Sequence, residues 1–150
     1  MLACVSFLII VGAGFYEHSS IVPVWSSAPP QSLMIFQGQY GINPSSFWKV
    51  IHPITIVLLI AALVLNWRTR SRKNIMITLG CYIVILIVTF AYYVPELLYI
   101  TTYQYQNTVI SALQDRAELW QTLSRIRLIC MLGLSLVLLS GLSKRTEVIT

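Results

Sequence analysis

Four ionisable side chains in this 150-residue chain lie inside or against stretches of apolar sequence: Glu17, His18, His52 and Arg127. A charge at membrane depth is costly, so such residues mark functional sites by default. A carboxylate and two imidazoles form a ligand set suited to iron, copper or zinc. The same groups also form an acid–base pair for a lipophilic substrate, with histidine titrating near neutrality and Arg127 stabilising a developing oxyanion. In the third, purely structural reading, Glu17 and Arg127 make an interhelical ion pair and the histidines hydrogen-bond within the bundle. Residue types alone leave all three open, so the cofactor reading is either none or a single transition metal held by Glu17, His18 and His52.

The elements that must position these groups are legible in the composition. The chain is 57% hydrophobic and only 10% charged, with a mean hydropathy of +0.75. Four stretches, residues 2–17, 47–67, 75–95 and 119–142, each approach the ~20 residues that cross a ~30 Å hydrocarbon core. The expected fold is therefore all-α: one domain, a four-helix transmembrane bundle with short turns at one end. The Ser/Pro/Gly-rich segment between helices 1 and 2 also carries Trp25, Leu33, Phe36 and Tyr40, so it is expected to be a structured external cap. The first stretch is read as a retained helix, because residues 1–10 lack the basic start of a signal peptide.

Lys and Arg favour cytoplasmic loops beside span ends. Arg68, Arg70, Arg72 and Lys73 fill the turn between helices 2 and 3, and Lys144 and Arg145 lie in the tail. Both termini are thus expected to be cytoplasmic, in a multi-pass protein of a bacterial inner membrane. The net charge of +5 serves topology and attraction to anionic lipid. No basic run interleaved with exposed aromatics points to nucleic acid. Partners are expected to be the bilayer, a lipophilic small molecule, and a second copy or a larger membrane complex.

With this topology, a rise of ~1.5 Å per residue sets depth. Glu17 and His18 come out ~23 Å above the start of helix 1, and His52 and Arg127 at ~22 Å on helices 2 and 4, whereas Glu96 falls near the rim at ~32 Å. Three helices thus bring Glu17, His18, His52 and Arg127 to one layer. Periodicity adds neighbours. Trp48, His52, Thr55, Leu59, Ala62 and Asn66 form one stripe on helix 2. Arg116, Trp120, Ser124, Arg127 and Met131 form another on helix 4. Trp48, Trp120, Ser124 and Arg116 are the candidate substrate contacts. Cys4, Cys81 and Cys130 lie within spans with no C-x-x-C motif, and read as packed thiols. There is no Gly-rich phosphate loop, no G-x-S-x-G and no H-E-x-x-H.

Three segments carry a resemblance: FYEHSSIVPVWSSAPPQSLMIFQ (Phe15–Gln37), FWKVIHP (Phe47–Pro53) and RAELWQTLSRIRLICMLGL (Arg116–Leu134). Together they resemble the anthrone-oxygenase-like family of small four-helix membrane proteins, across essentially the whole chain. Ser124 stands where the family often has Asn, and Glu96-Leu97 replaces polar residues after Pro95. The resemblance implies a cofactor-poor oxygenase that converts an activated methylene of an electron-rich aromatic to a ketone. His52 or His18 would then be the base and Arg127 the enolate's partner, with Trp48 and Trp120 stacking on a flat substrate. The rival expectation is a non-catalytic small-molecule-binding or scaffold subunit.

Overall fold

Apolar sequence satisfies its own backbone polar groups most simply as helix, and the computed structural model, which describes residues 1–143, has no strand among them. Lys144 and Arg145 of the expected charge pattern lie outside the described residues. Four helices are long and apolar enough to cross a membrane: α1 (Leu2–Ser26), α2 (Ser45–Leu65), α3 (Arg72–Thr101) and α4 (Ser111–Ser143). Their outward faces expose large apolar side chains such as Leu8, Val57, Ile87 and Ile129, as a lipid-facing surface does.

Cross-contacts give the direction of each helix. Ser6 meets Thr55 and Glu17 meets Trp48, so α1 and α2 run antiparallel. His52 meets Tyr82 between α2 and α3. Between α3 and α4, Asn74 meets Val137 and Glu96 meets Arg116. The main packing pairs are α1–α2, α2–α3, α3–α4 and α4–α1, an up–down ring. Met1, Asn66, Ser71 and Leu142 border one small cleft, so the start of the chain, the basic turn and the described end of α4 share one end of the bundle.

Three helices are longer than the spacing suggests, and for α1 and α3 the reason is the same. Proline lacks an N–H, and its ring clashes with the carbonyl four residues back. Here each Val-Pro step is preceded by one wide turn, Glu17–Ile21 before Val22-Pro23 and Thr89–Tyr93 before Val94-Pro95. The Val22 N–H reaches Glu17 O and the Val94 N–H reaches Thr89 O, each five residues back. The extra residue accommodates the ring and the helix continues. α1 therefore runs to Ser26 rather than ending at Glu17, and α3 runs to Thr101. α4 begins at Ser111, well before Leu119.

Two apolar clusters fill the bundle. One, toward the end that holds Met1, centres on Phe7, Leu59, Tyr82, Met131 and Leu138. The other, toward the opposite end, gathers Val22, Trp25, Leu33, Ile100, Leu113 and Trp120. The segment between α1 and α2 closes over the second cluster. Ser32 Oγ donates to Trp25 O at 2.5 Å, Ile110 N to Pro29 O at 3.1 Å, and Gln37 Nε2 to Tyr103 O at 3.1 Å. A tight turn then leads into α2. Gly38 has φ +81, and a Cβ at Gly41 would lie 2.5 Å from Phe36 O, so both positions require glycine. The turn places Ile42 N on Ile35 O at 3.0 Å.

At the Met1 end the helices are joined by polar contacts. Ser71 Oγ donates to Gly141 O at 2.6 Å, and Asn74 Nδ2 donates to Val137 O and Ser140 Oγ, both at 2.8 Å. A Cβ on Gly141 would sit 3.2 Å from Asn74 Cβ, the small-residue approach common between membrane helices. Asn74→Leu removes both Asn74 bonds and is expected to cost about 1 kcal/mol, at ~0.6 kcal/mol per interhelical bond. Denaturant unfolding in mixed micelles measures this, and an unchanged midpoint would refute it.

Candidate functional site

Between the two apolar clusters each helix contributes polar side chains at one level. On α1 these are Glu17 and His18, between Val11 of one cluster and Val22 of the other. On α4 they are Ser124 and Arg127, between Leu123 and Leu128. On α3, Thr89 and Tyr93 follow Leu86, and α2 supplies Trp48 and His52. Because Glu17 and His18 are consecutive on a helix, they point about 100° apart. Glu17 turns to α2, where its Oε1 accepts from Trp48 Nε1 at 2.8 Å. His18 turns to α4, where its ring stands edge-on to Trp120 at 6.4 Å.

The α2 side forms a chain of contacts. The His52 ring lies stacked on Trp48, with centroids 5.3 Å apart and planes 21° apart. His52 Nδ1 is 2.7 Å from Tyr82 Oη. The Tyr82 ring is fully buried and packs edge-on against Phe7 at 5.2 Å. Glu17, Trp48, His52 and Tyr82 are thus connected across three helices.

The α4 side is organised by Arg127. Its guanidinium donates to Thr89 Oγ1 at 3.1 Å and to Ser124 Oγ at 3.0 Å, and it lies 4.4 Å from the centre of the Tyr93 ring. Tyr93 is held in turn: its hydroxyl donates to Leu123 O at 2.9 Å, and its carbonyl accepts from Trp120 Nε1 at 3.0 Å. The Arg127 charge is near enough to act on Glu17, His18 and His52. Glu17 and Arg127 nevertheless form no direct ion pair among the described residues; Trp48 holds the carboxylate instead.

Several expected contributions are distributed differently. Arg116 forms a bidentate pair with Glu96, both bonds 2.6 Å, and lies over Tyr99 at 4.2 Å. With a side chain 46% exposed, it stands apart at the far end of the bundle because its position falls beside, not on, the buried stripe of Leu113, Ala117, Trp120 and Ser124. Trp120 is 5% exposed, with Trp25, Tyr93 and His18 around its ring, so a flat molecule has no open face there. Ser124 is fully buried and receives Arg127. Among the described residues no three His, Cys, Asp or Glu side chains are gathered to hold a metal ion. Glu17 and His52 meet at Trp48, with His52 also reaching Tyr82, while His18 turns away to Trp120. Both ring nitrogens of His18 are buried without a hydrogen bond.

Tyr82, Thr89 and Tyr93 were not evident from isolated charges. Their signal lies in the third span, where Thr78, Tyr82, Thr89 and Tyr93 follow steps of four, seven and four, one helical face.

A groove of about 380 Å³ lies on the flank between α1 and the start of α2. This is within the ~300–1,000 Å³ range of small-molecule sites. Ala13, Tyr16, Ile21, Ile42, Pro44 and Phe47 make it apolar, and Glu17 and Asn43 are its polar groups. Asn43 Oδ1 is already used, accepting from Ser45 Oγ at 2.6 Å. Glu17 is therefore the carboxylate at which the interior layer reaches the flank.

No protein-family model, no curated protein and no solved structure matches this chain. The class that fold and site define is an all-helical protein with four membrane-length apolar helices and a polar layer between two apolar clusters.

A buried donor left without its acceptor is costlier than a pair removed together. Thr89→Val is thus expected to destabilise by about 1–3 kcal/mol, because Arg127 keeps its charge and loses an acceptor. The double variant Thr89→Val/Arg127→Met removes donor and acceptor together and is expected to cost less. Unfolding of both variants in mixed micelles checks the order, and the reverse order would refute this account of the layer.

Proposed function

We propose that this chain is a multi-pass membrane protein that admits a lipophilic aromatic molecule from the bilayer into the groove at Glu17 and oxidises it. The observation that carries this reading is the groove itself: apolar walls of small-molecule size leading to one carboxylate that belongs to a buried polar layer. Apolar surface selects a molecule already dissolved in lipid. A carboxylate recognises an acidic C–H or O–H, as an anthrone or a quinol presents.

With such a substrate the chemistry needs only dioxygen. Glu17 accepts the proton of an activated methylene, and the resulting enolate reacts at carbon with O₂. The hydroperoxide formed loses water to leave a ketone, so CH₂ and O₂ become C=O and H₂O. The Arg127 charge favours the anionic stage electrostatically. The resemblance of Phe15–Gln37, Phe47–Pro53 and Arg116–Leu134 to anthrone-oxygenase-like proteins supports the same reaction. In orientation, the end holding Met1 and the Arg68–Lys73 turn is cytoplasmic by its basic residues, which fits a bacterial inner membrane and puts the groove in the outer third of the bilayer.

One observation favours a non-catalytic binding or scaffold role instead. Two of the Arg127 N–H groups are spent on Thr89 and Ser124 and its face lies on Tyr93, so the cation serves first to hold α3 and α4 together. Oxygen uptake by the protein in nanodiscs, with an anthrone as substrate, separates the two. Turnover is expected, and Glu17→Gln should lower it by about 10²–10⁴-fold, the usual worth of a general base. Ala13→Phe, which fills the groove, should raise KM. Binding of the anthrone without oxygen uptake would leave the binding role.

A further inference from the structure

The position of one proton on His52 follows from what surrounds Tyr82. The Tyr82 ring is fully buried, and its hydroxyl has one hydrogen-bond partner, His52 Nδ1 at 2.7 Å. If the imidazole proton sat on Nδ1, it would donate to the phenol oxygen, and the buried phenol hydrogen would have no acceptor. An unmet buried O–H carries its whole desolvation cost. With the proton on Nε2, the phenol donates to the Nδ1 lone pair and both groups are satisfied. The ring cannot easily turn over, which would put Cδ2 in place of Nδ1, because its face lies stacked on Trp48.

Nε2 makes no hydrogen bond to any described residue, and it is not among the sealed, unpartnered atoms of the interior. Its N–H is free to meet a ligand. Trp48, against which His52 stacks, is itself held by Glu17. A fixed donor and a carboxylate acceptor thus flank one indole.

We propose that Tyr82 locks His52 as the Nε2–H tautomer, which makes His52 a hydrogen-bond donor to the carbonyl oxygen of a quinone- or anthrone-like ligand and leaves Glu17 as the proton acceptor. The ligand class rests on the function proposed above; the tautomer does not. An anthrone carries both complements, an acidic C–H for Glu17 and a carbonyl that takes up the negative charge when that proton leaves. The groove is lined at Glu17 and not at His52, so the ligand's carbonyl must extend past Trp48 to reach Nε2. There His52 stabilises the oxyanion, and Tyr82 is a positioning residue acting through it. The Nδ1 lone pair, spent on Tyr82, is unavailable as a base.

Nitrogen-15 NMR of histidine-labelled protein in nanodiscs at neutral pH reads the tautomer directly, with His18→Gln identifying the His52 signals. A bare Nδ1 and a protonated Nε2 are expected, giving way to mixed tautomers in Tyr82→Phe, which keeps the ring and its contact with Phe7. An Nδ1–H tautomer, a doubly protonated ring, or an unchanged tautomer in Tyr82→Phe would overturn the lock. The donor role is read by titration with 1,4-naphthoquinone. His52→Leu should bind about tenfold more weakly than His52→Gln, whose amide N–H still donates, one hydrogen bond being worth about that factor. Equal loss in the two variants would overturn the donor role. Failure of wild type to bind the quinone, with the tautomer as expected, would overturn the ligand class and leave the lock standing.

Discussion

An arginine cannot be left with unmet donors between apolar helices, and Arg127 imposes that constraint on the whole middle of this bundle. Its guanidinium never loses its charge, so acceptors must be brought to it from other turns and other helices. Ser124, one turn away on α4, supplies one oxygen and Thr89 on α3 another, and the face of Tyr93 supplies a third favourable surface. Each of these is fixed by something further. Tyr93 donates to the α4 backbone and receives Trp120, and Thr89 also donates to Ile85 O at 2.7 Å. Apolar clusters lie on either side of this layer.

The wide turns at Glu17–Ile21 and Thr89–Tyr93 are the backbone counterpart of this arrangement. Prolines in the middle of a membrane helix free a carbonyl, which must be re-satisfied locally. A single five-residue closure does so in both helices, and both closures fall at the level where polar side chains converge. The residues they contain differ in role. On α3 they face the arginine, and on α1 they carry Glu17 toward the flank and His18 toward Trp120. One local solution to a proline thus serves a sealed contact in one helix and an accessible carboxylate in the other.

The four helices and their apolar character were legible because span length and hydropathy are set by the hydrocarbon thickness, which acts on every residue of a span. The helix ends were not, since a proline bends or ends a helix in most settings, and only the five-residue closures let α1 and α3 continue past Pro23 and Pro95. In the layer, charges and histidines could be placed by depth, because rise per residue is constant. Their partners could not: an indole such as Trp48 is equally at home in an interfacial belt, and nothing in its type says that it will hold Glu17. Arg116 shows the limit of periodicity, since a stripe read at steps of three and four tolerates an error of one residue, which at ~100° per residue moved it from the interior to the pair with Glu96.

The division between a cation tied into the bundle and a carboxylate that borders the groove has a chemical consequence. A guanidinium held by Thr89, Ser124 and Tyr93 is fixed in place, and its charge reaches its neighbours through its field. Glu17 is tethered by one indole N–H and borders open volume, so it can exchange a proton without dismantling the core. On the function proposed above, a fixed charge inside and an exchanging group at the flank would let the bundle keep its packing while the groove changes its occupant. The cation and the carboxylate are thereby held by different helix pairs: α3 and α4 hold Arg127, and α1 and α2 hold Glu17.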